Sequence, residues 1–164
     1  MNAPKPREAF VDLYYEDFEP GEKVSTDSHL VTKEGILAFA EVTRDRHPLH
    51  TDEEYCSKTQ YGRIIAHGMY GLSLIEGLKS ELKLYQNTSL ASLGWDKVRF
   101  RKPIFAGDTV HVDVSFLSKR ESRSSPHGVV VERVEMINQD GDVVIDGEHA
   151  TMLYTRASAP AGLG

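Results

Sequence analysis

Residues 45–50, Asp-Arg-His-Pro-Leu-His, carry the side chains in this sequence that are best suited to chemistry. The carboxylate of Asp45 and the imidazole of His50 stand five positions apart, with Pro48 between them. Proline fixes its own φ at about −65° and disfavours helical geometry in the residue before it, so we expect a stiff, extended bend. On such a bend both side chains can face one point, where they can hold a water and move protons at neutral pH.

A second stretch, Ile-Ala-His-Gly-Met at residues 65–69, stands at the start of a predicted apolar helix. The start of a helix offers free backbone N–H groups and the positive end of a dipole, which together suit a developing oxyanion. These two stretches predict a site that combines proton transfer with stabilisation of negative charge.

Each candidate residue also has a simpler interpretation. An aspartate before a proline-containing bend is often only a turn cap, and His50 can equally be a packed histidine. The remaining histidines show no spacing typical of a metal site, and the single cysteine, Cys56, cannot complete one, so we predict no metal. These histidines are His29, His111, His127 and His149.

Three motifs, taken in order, resemble those of the MaoC-like dehydratases, also called (R)-specific enoyl-CoA hydratases. The family pattern is roughly Gly-Asp-x-Asn-Pro-x-His, then Ile-x-His-Gly-Met, then Pro-Val-x-x-Gly-Asp-Thr. The corresponding segments here are 44–50, 65–69 and 103–109, and the likeness covers about residues 14–154. Three ordered motifs form a specific signal, whereas the Asp-to-His spacing alone would be a weak one.

The resemblance implies an enzyme that reversibly hydrates a trans-2-enoyl-CoA to a (3R)-3-hydroxyacyl-CoA, with a short or branched acyl chain among the options. Hydration needs a base for the attacking water, a proton for C2 and stabilisation of the thioester oxygen. The expected catalytic residues are Asp45 and His50, which would hold the water, and Gly68, whose N–H would meet the oxygen. Acyl-CoA is then the substrate, and no cofactor is expected.

The expected substrate-binding residues lie in or beside the motifs: Arg44, His47, Pro48, His67, Met69 and Arg99. Arg44 and His47 replace the glycine and asparagine common in the family. Two basic groups beside Asp45 would suit an acyl group with its own carboxylate, unless Arg44 faces solvent and His47 only fixes the loop. His67 is expected to shape the start of the helix.

Arg99 belongs to a local basic cluster with Lys97, Arg101 and Lys102. This cluster is either a solvated strand face or a contact for the phosphates of coenzyme A. Glu76 stands where some relatives carry a small serine. It is the acidic residue on the long helix that a thioesterase of the same fold would use, and this activity is the first alternative. A non-catalytic acyl-binding module is the second.

Composition narrows the class of protein. The 164-residue chain is long enough for one domain with a real core, and its net charge of −6 argues against a general binder of nucleic acid or anionic membranes. One cysteine excludes an intramolecular disulfide and fits a reducing compartment. We find no secretory signal and no apolar stretch of transmembrane length, so we expect a cytoplasmic protein.

The hydrophobic pattern predicts an α+β chain with one domain over residues 13–156, a flexible N-terminal arm over 1–12 and a flexible tail over 157–164. The expected elements are a strand at 24–31, a helix from the N-cap Thr32 to Thr43, a short helix from Thr51 to Cys56, a long buried helix at 66–84, and strands at 98–101, 110–116, 129–137 and 143–154. The resemblance implies the hot-dog fold, an antiparallel sheet wrapped around the long helix, and a homodimer.

Overall fold

The structure, a computed structural model, describes residues 7–162. Its antiparallel sheet has the strand order β1-β4-β5-β6-β3, and β2 also pairs with β4. The strands are β1 (Lys23–Ser25), β2 (His29–Leu30), β3 (Ser89–Phe100), β4 (Thr109–Glu121), β5 (His127–Ile137) and β6 (Val143–Tyr154). The last strand has the predicted bounds, and the turn before it contains Gly141 at a φ of 79°, as the Asp-Gly pair predicts.

The helices are α1 (Lys33–Thr43), α2 (Pro48–Thr51), α3 (Glu53–Ser57) and α4 (Gly68–Glu81), with short 3₁₀ turns at Arg7–Phe10 and Tyr15–Asp17. The start of α1 is confirmed, because the Thr32 side chain accepts a hydrogen bond from the Gly35 N–H at 3.0 Å. Asp52, and not Thr51, is the N-cap of α3: its carboxylate accepts from the Tyr55 N–H at 2.9 Å.

The long helix α4 packs on one face of the sheet. Its buried residues include Gly71, Ile75 and Leu78, which join a core formed by the apolar sides of β4, β5 and β6. An amphipathic helix on an antiparallel sheet is the α+β architecture that the sequence predicts. The helix begins at Gly68 and ends at Glu81, so it is shorter at both ends than predicted.

Two strand predictions need correction. The first strand is split into β1 and β2, which pair separately with β4; between them the Thr26 hydroxyl, in place of a backbone carbonyl, accepts from the Val112 N–H at 2.9 Å. The strand expected at 98–101 begins at Ser89. Its first half shows no alternation of buried and exposed residues, and three register shifts interrupt its pairing with β6.

Both ends of the described part make contacts within the domain. Phe10 is 2% exposed and packs edge-on against Phe116, with 5.8 Å between ring centroids. Part of the predicted N-terminal arm therefore contacts the core, because burial of an apolar ring is favourable; residues 1–6 lie outside the described part. In the expected tail, the Ser158 hydroxyl hydrogen-bonds Thr155, and residues 163–164 lie outside the described part.

The helices within residues 7–162 were compared with the length and hydropathy that a membrane span needs. None of them is long and apolar enough to cross a bilayer.

Candidate active site

His50 lies on a short helix and not on the extended bend that the sequence predicted. Pro48 is compatible with the first turn of a helix, where a missing N–H costs nothing. The His47 ring caps this turn, because its Nδ1 accepts from the Leu49 N–H at 3.2 Å. The α2 helix therefore starts directly after His47 and carries His50 in its last turn.

Two backbone carbonyls fix the tautomers of His50 and His67. The Nδ1 of His50 lies 2.7 Å from the Ile65 carbonyl oxygen, and the Nε2 of His67 lies 2.8 Å from the Asp45 carbonyl oxygen. A carbonyl only accepts hydrogen bonds, so each of these nitrogens carries the proton when the ring is neutral. The lone pairs therefore remain on Nε2 of His50 and on Nδ1 of His67.

The two imidazole rings stack, with centroids 3.7 Å apart and an interplanar angle of 28°. His67 is 3% exposed, and its buried Nδ1 has no hydrogen-bond partner among residues 7–162. One ligand atom each from Asp45, His50 and His67 lie within 4.8 Å of one another. At this separation the three groups can hold one small ligand between them, either a water molecule or a metal ion.

These groups face a cleft of about 460 Å³. Gly68, the first residue of α4, lies at its wall, and a Cβ built on Gly68 would meet the Phe100 ring at 2.8 Å. The first N–H groups of a helix have no partner within the helix, so the Gly68 end of α4 can stabilise an anion in the cleft. The cleft is lined by Asp45, His50, Tyr61, Ile65, Ala66, His67, Gly68, Met69, Phe100, Arg101, Lys102, Pro103, Ile104 and Ile145.

The environment of His50 favours its neutral form. Burial lowers the pKa of this imidazole below its ordinary value of 6.5; the hydrogen bond to Ile65 raises it in part, and His67 and His47 lower it further. A neutral His50 has a free lone pair on Nε2 and can act as a base at neutral pH.

Comparisons with known proteins identify the family of the chain. The family model described as "MaoC like domain" matches residues 17–138. The chain belongs to the MaoC-like dehydratase family. It is 31% identical to a 3-hydroxybutyryl-CoA dehydratase of Methylorubrum extorquens, over 83% of this chain and 81% of that protein. It is 29% identical to an (R)-specific enoyl-CoA hydratase of Aeromonas caviae, over 84% of this chain and 97% of that protein.

Solved structures of MaoC-like proteins share the fold. The crystal structure of a MaoC-like dehydratase from Rhodospirillum rubrum has a TM-score of 0.78 at 26% identity, covering 88% of this chain and 98% of that one. A Mycobacterium tuberculosis protein described as a double hotdog fold has a TM-score of 0.79 at 19% identity, covering 92% of this chain and 46% of that one. The hot-dog fold implied by the sequence is confirmed.

Five of the predicted site residues of this MaoC-like protein come together in the cleft: Asp45, His50, His67, Gly68 and Met69. Four others lie elsewhere. Arg44 ends α1 in the left-handed region at a φ of 65° and is exposed, His47 and Pro48 start α2, and the Arg99 guanidinium donates to the Val98 carbonyl at 2.8 Å. None of these four residues is part of the cleft lining.

Other members of the basic cluster do reach the cleft. Arg101 and Lys102 line it, and the Arg101 guanidinium also forms two hydrogen bonds with the Asp146 carboxylate, at 2.7 and 3.1 Å. Ile104 and Ile145 were not identified from the sequence as site residues. They resemble ordinary core positions there, and only tertiary packing brings them to the cleft.

Glu76 lies outside this cleft, in a charged group that we call the Lys79 network: Glu76, which is half-buried, and the buried Lys79, Glu132 and His149. The Lys79 ammonium lies 2.6 Å from Glu132, 3.2 Å from Glu76 and 3.1 Å from Nδ1 of His149. Burial opposes the charge of Lys79, but the two carboxylates outweigh it, and its pKa is raised. Three residues of the network, Glu76, Lys79 and His149, line a second cavity of about 300 Å³.

Proposed function

We propose that this protein catalyses the reversible hydration of a trans-2-enoyl-CoA to a (3R)-3-hydroxyacyl-CoA. The observation that carries the proposal is the fixed tautomer of His50, which leaves its Nε2 lone pair available beside Asp45 and the start of α4. Relatives named as enoyl-CoA hydratase and 3-hydroxybutyryl-CoA dehydratase support the same reaction class.

In the proposed reaction, Asp45 and Nε2 of His50 accept hydrogen bonds from one water. His50 takes a proton as the water oxygen bonds to C3, and the C2–C3 double bond shifts its electrons toward the thioester oxygen. The Gly68 N–H stabilises that oxygen as it becomes negative. The same proton then passes from the His50–Asp45 pair to C2, so atoms and charge balance, and dehydration is the reverse sequence.

The substrate would lie along the cleft, with its acyl part against apolar side chains such as Met69 and Phe100. We assign contacts with the phosphates of coenzyme A to Arg101 and Lys102 in place of Arg99, because these two cations line the cleft. Acyl-CoA is the substrate in this proposal, and no cofactor is required. The positions of Arg44 and His47 favour structural variation over recognition of a carboxylated acyl group.

We also propose that the protein acts in the cytoplasm as a homodimer. Within residues 7–162, β3 pairs with β6 along one side only, so its other edge carries unpaired backbone groups. Leu90 and Leu93 on this strand are 37% and 47% exposed. Exposed edges of this kind are normally paired or covered, and a second copy of the chain would do both.

The decisive experiment incubates purified protein with a panel of enoyl-CoAs and follows loss of the conjugated thioester absorbance. We expect wild type to consume at least one substrate and to form the (3R) alcohol, as chiral analysis of the product will determine. Release of free thiol without hydration would instead indicate a thioesterase, an activity that the ion pair of Glu76 with Lys79 disfavours. Tight binding without turnover would indicate an acyl-binding module.

A further inference from the structure

We propose that Ile104 and Ile145 limit the length of the acyl chain, so that the preferred substrates are short-chain 2-enoyl thioesters. This inference rests on the hydratase function proposed above and adds the substrate class. The two isoleucine side chains close the inner end of the cleft.

The closure lies at Gly71, one turn after Gly68 on α4. A Cβ built on Gly71 would lie 2.3 Å from Cδ1 of Ile145 and 2.9 Å from Cδ1 of Ile104. The two isoleucine side chains therefore fill the space beside the helix that a longer ligand would need. Both line the cleft, and they are only 4% (Ile104) and 1% (Ile145) exposed, so they form a packed wall.

Beyond Ile145, the next position of β6 on the same face is also filled. Side chains of a strand alternate between faces, so Ile145, Gly147 and His149 point the same way. A Cβ built on Gly147 would lie 3.2 Å from Cγ2 of Val98 and 3.5 Å from Cε3 of Trp95. Side chains of β3 thus occupy the room that the glycine leaves.

The region past Trp95 is charged. The Trp95 ring stacks on His149 with 4.5 Å between centroids, and His149 contacts the buried Lys79. Lys79 is 7% exposed and its partner Glu132 is fully buried. An alkyl chain placed among these groups would disturb paired, buried charges without offering hydrogen bonds in return, which is unfavourable. The wall and the Lys79 network therefore reject the same ligands, apolar chains that extend beyond Gly71.

The size of the cleft agrees with this limit. Its volume of about 460 Å³ lies in the lower half of the roughly 300–1,000 Å³ typical of ligand pockets. Part of that space must hold the thioester and the pantetheine arm, so the remainder suits a short acyl group better than a long one.

The test compares kcat/KM for decenoyl-CoA and crotonyl-CoA within each protein preparation. A ratio from one preparation does not depend on the fraction of folded enzyme. We expect wild type to favour crotonyl-CoA. Ile145→Ala should raise the ratio of kcat/KM for decenoyl-CoA to that for crotonyl-CoA at least tenfold, because one methylene in an apolar pocket changes kcat/KM by about 10–200-fold. Ile145→Val, which disturbs the core less, should shift the ratio in the same direction.

Ile36→Ala is the matched control. Ile36 is fully buried like Ile145 but lies on α1, outside the cleft lining, so its removal should leave the ratio unchanged. Similar kcat/KM values for both substrates in wild type, or an unchanged ratio in both Ile145 variants, would overturn the chain-length limit and leave the hydratase function intact. Absence of turnover with every enoyl-CoA in wild type would overturn the function itself.

Discussion

The imidazole rings of His50 and His67 stack at 3.7 Å, and each is anchored at its protonated nitrogen by a backbone carbonyl. His67 holds the carbonyl of Asp45, so one side chain positions both groups that are proposed to bind the water. Because the contacts are made to the backbone, Asp45 keeps its carboxylate and His50 keeps its Nε2 free for chemistry.

Removal of either proton-transfer group should abolish most activity. We expect Asp45→Asn and His50→Ala each to lower kcat/KM for hydration by about 10²–10⁴-fold, the usual contribution of a positioned acid or base. Circular dichroism and thermal unfolding should remain close to wild type, since Asp45 is exposed and His50 half-buried. His111→Ala, a control histidine on β4 outside the cleft, should keep full activity. Near wild-type turnover in both site variants would contradict the roles assigned here.

His67 should tolerate glutamine better than asparagine. The amide nitrogen of glutamine can take the place of Nε2 and donate to the Asp45 carbonyl, whereas asparagine reaches only the position of Nδ1. Misplacement of a catalytic group by about 1 Å can cost about 10²-fold in rate. We therefore expect His67→Asn to lose about 10²-fold in kcat and His67→Gln to lose clearly less. Equal losses in kcat would show that the anchor of Asp45 is unimportant.

The acid limb of the pH–rate profile should lie below pH 6.5. Protonation of His50 removes its lone pair, and burial lowers its pKa from 6.5, so hydration should persist into mildly acidic solution. The measurement is kcat/KM from about pH 5 to 8 at constant ionic strength. An acid limb at or above pH 6.5 would rule out His50 as the limiting base in the environment described.

The lowered pKa of His50 also makes the free energy of unfolding depend on pH. The unfolded His50 binds a proton more readily than the folded one, and the pKa of His149 is lowered as well, by burial and by the neighbouring Lys79. Where the unfolded state binds more protons, the free energy of unfolding rises with pH. Stability should therefore fall as pH drops below 6.5 toward the folded-state pKa values, which urea unfolding at a series of pH values will measure.

Breaking the buried ion pair of Lys79 should destabilise the protein strongly. Lys79→Met would leave the fully buried Glu132 without its cation, and breaking such pairs typically costs about 3–5 kcal/mol. Lys58→Met is the matched control, because Lys58 and its partner Glu54 are both exposed to solvent. Exposed pairs of this kind contribute about 0.3–0.5 kcal/mol to the free energy of unfolding. Urea unfolding at fixed protein concentration will give the free energy of unfolding of wild type and of both variants. A loss below about 1 kcal/mol in Lys79→Met would contradict the burial argument.

A charge on the free edge of β3 should dissociate the proposed homodimer. Leu93→Lys places an ammonium on a strand that would pair with its copy, whereas Leu117→Lys changes a similarly exposed leucine on β4. Light scattering should give a dimer for wild type and Leu117→Lys, and monomer for Leu93→Lys. A monomeric wild type at micromolar concentration would refute the assembly.

The sequence predicted most of the secondary structure because the signals were local. The Thr32 cap fixes the start of α1, and the Asp140-Gly141 turn followed by a strand-like run predicts β6 with its observed bounds. The first half of β3 could not be found in this way, since its residues are exposed without alternation. Phe10 is one aromatic residue in a polar segment, and only its contact with Phe116 makes it part of the core.

Some residues of the candidate site could be predicted from local sequence motifs, and others could not. Asp45, His50 and Gly68 stand in ordered motifs, so their types and spacing predicted that they would lie together, as they do in the cleft. The use of His47 as a helix cap depends on the backbone that Pro48 begins, and the sequence alone left this role open. The wall formed by Ile104 and Ile145 depends on three separate segments meeting at Gly71, an apposition that no local pattern encodes.

Cys56 can report how often the segment that carries His50 opens. The only thiol of the chain is fully buried, its Sγ lies 3.4 Å from the Pro48 carbonyl oxygen and 3.2 Å from that of Leu49, and burial raises its pKa. An alkylating reagent can react only after the turn that bears His50 separates from α3, so the labelling rate measures how often this segment opens. A substrate analogue that closes the cleft should slow that rate without touching the sulfur.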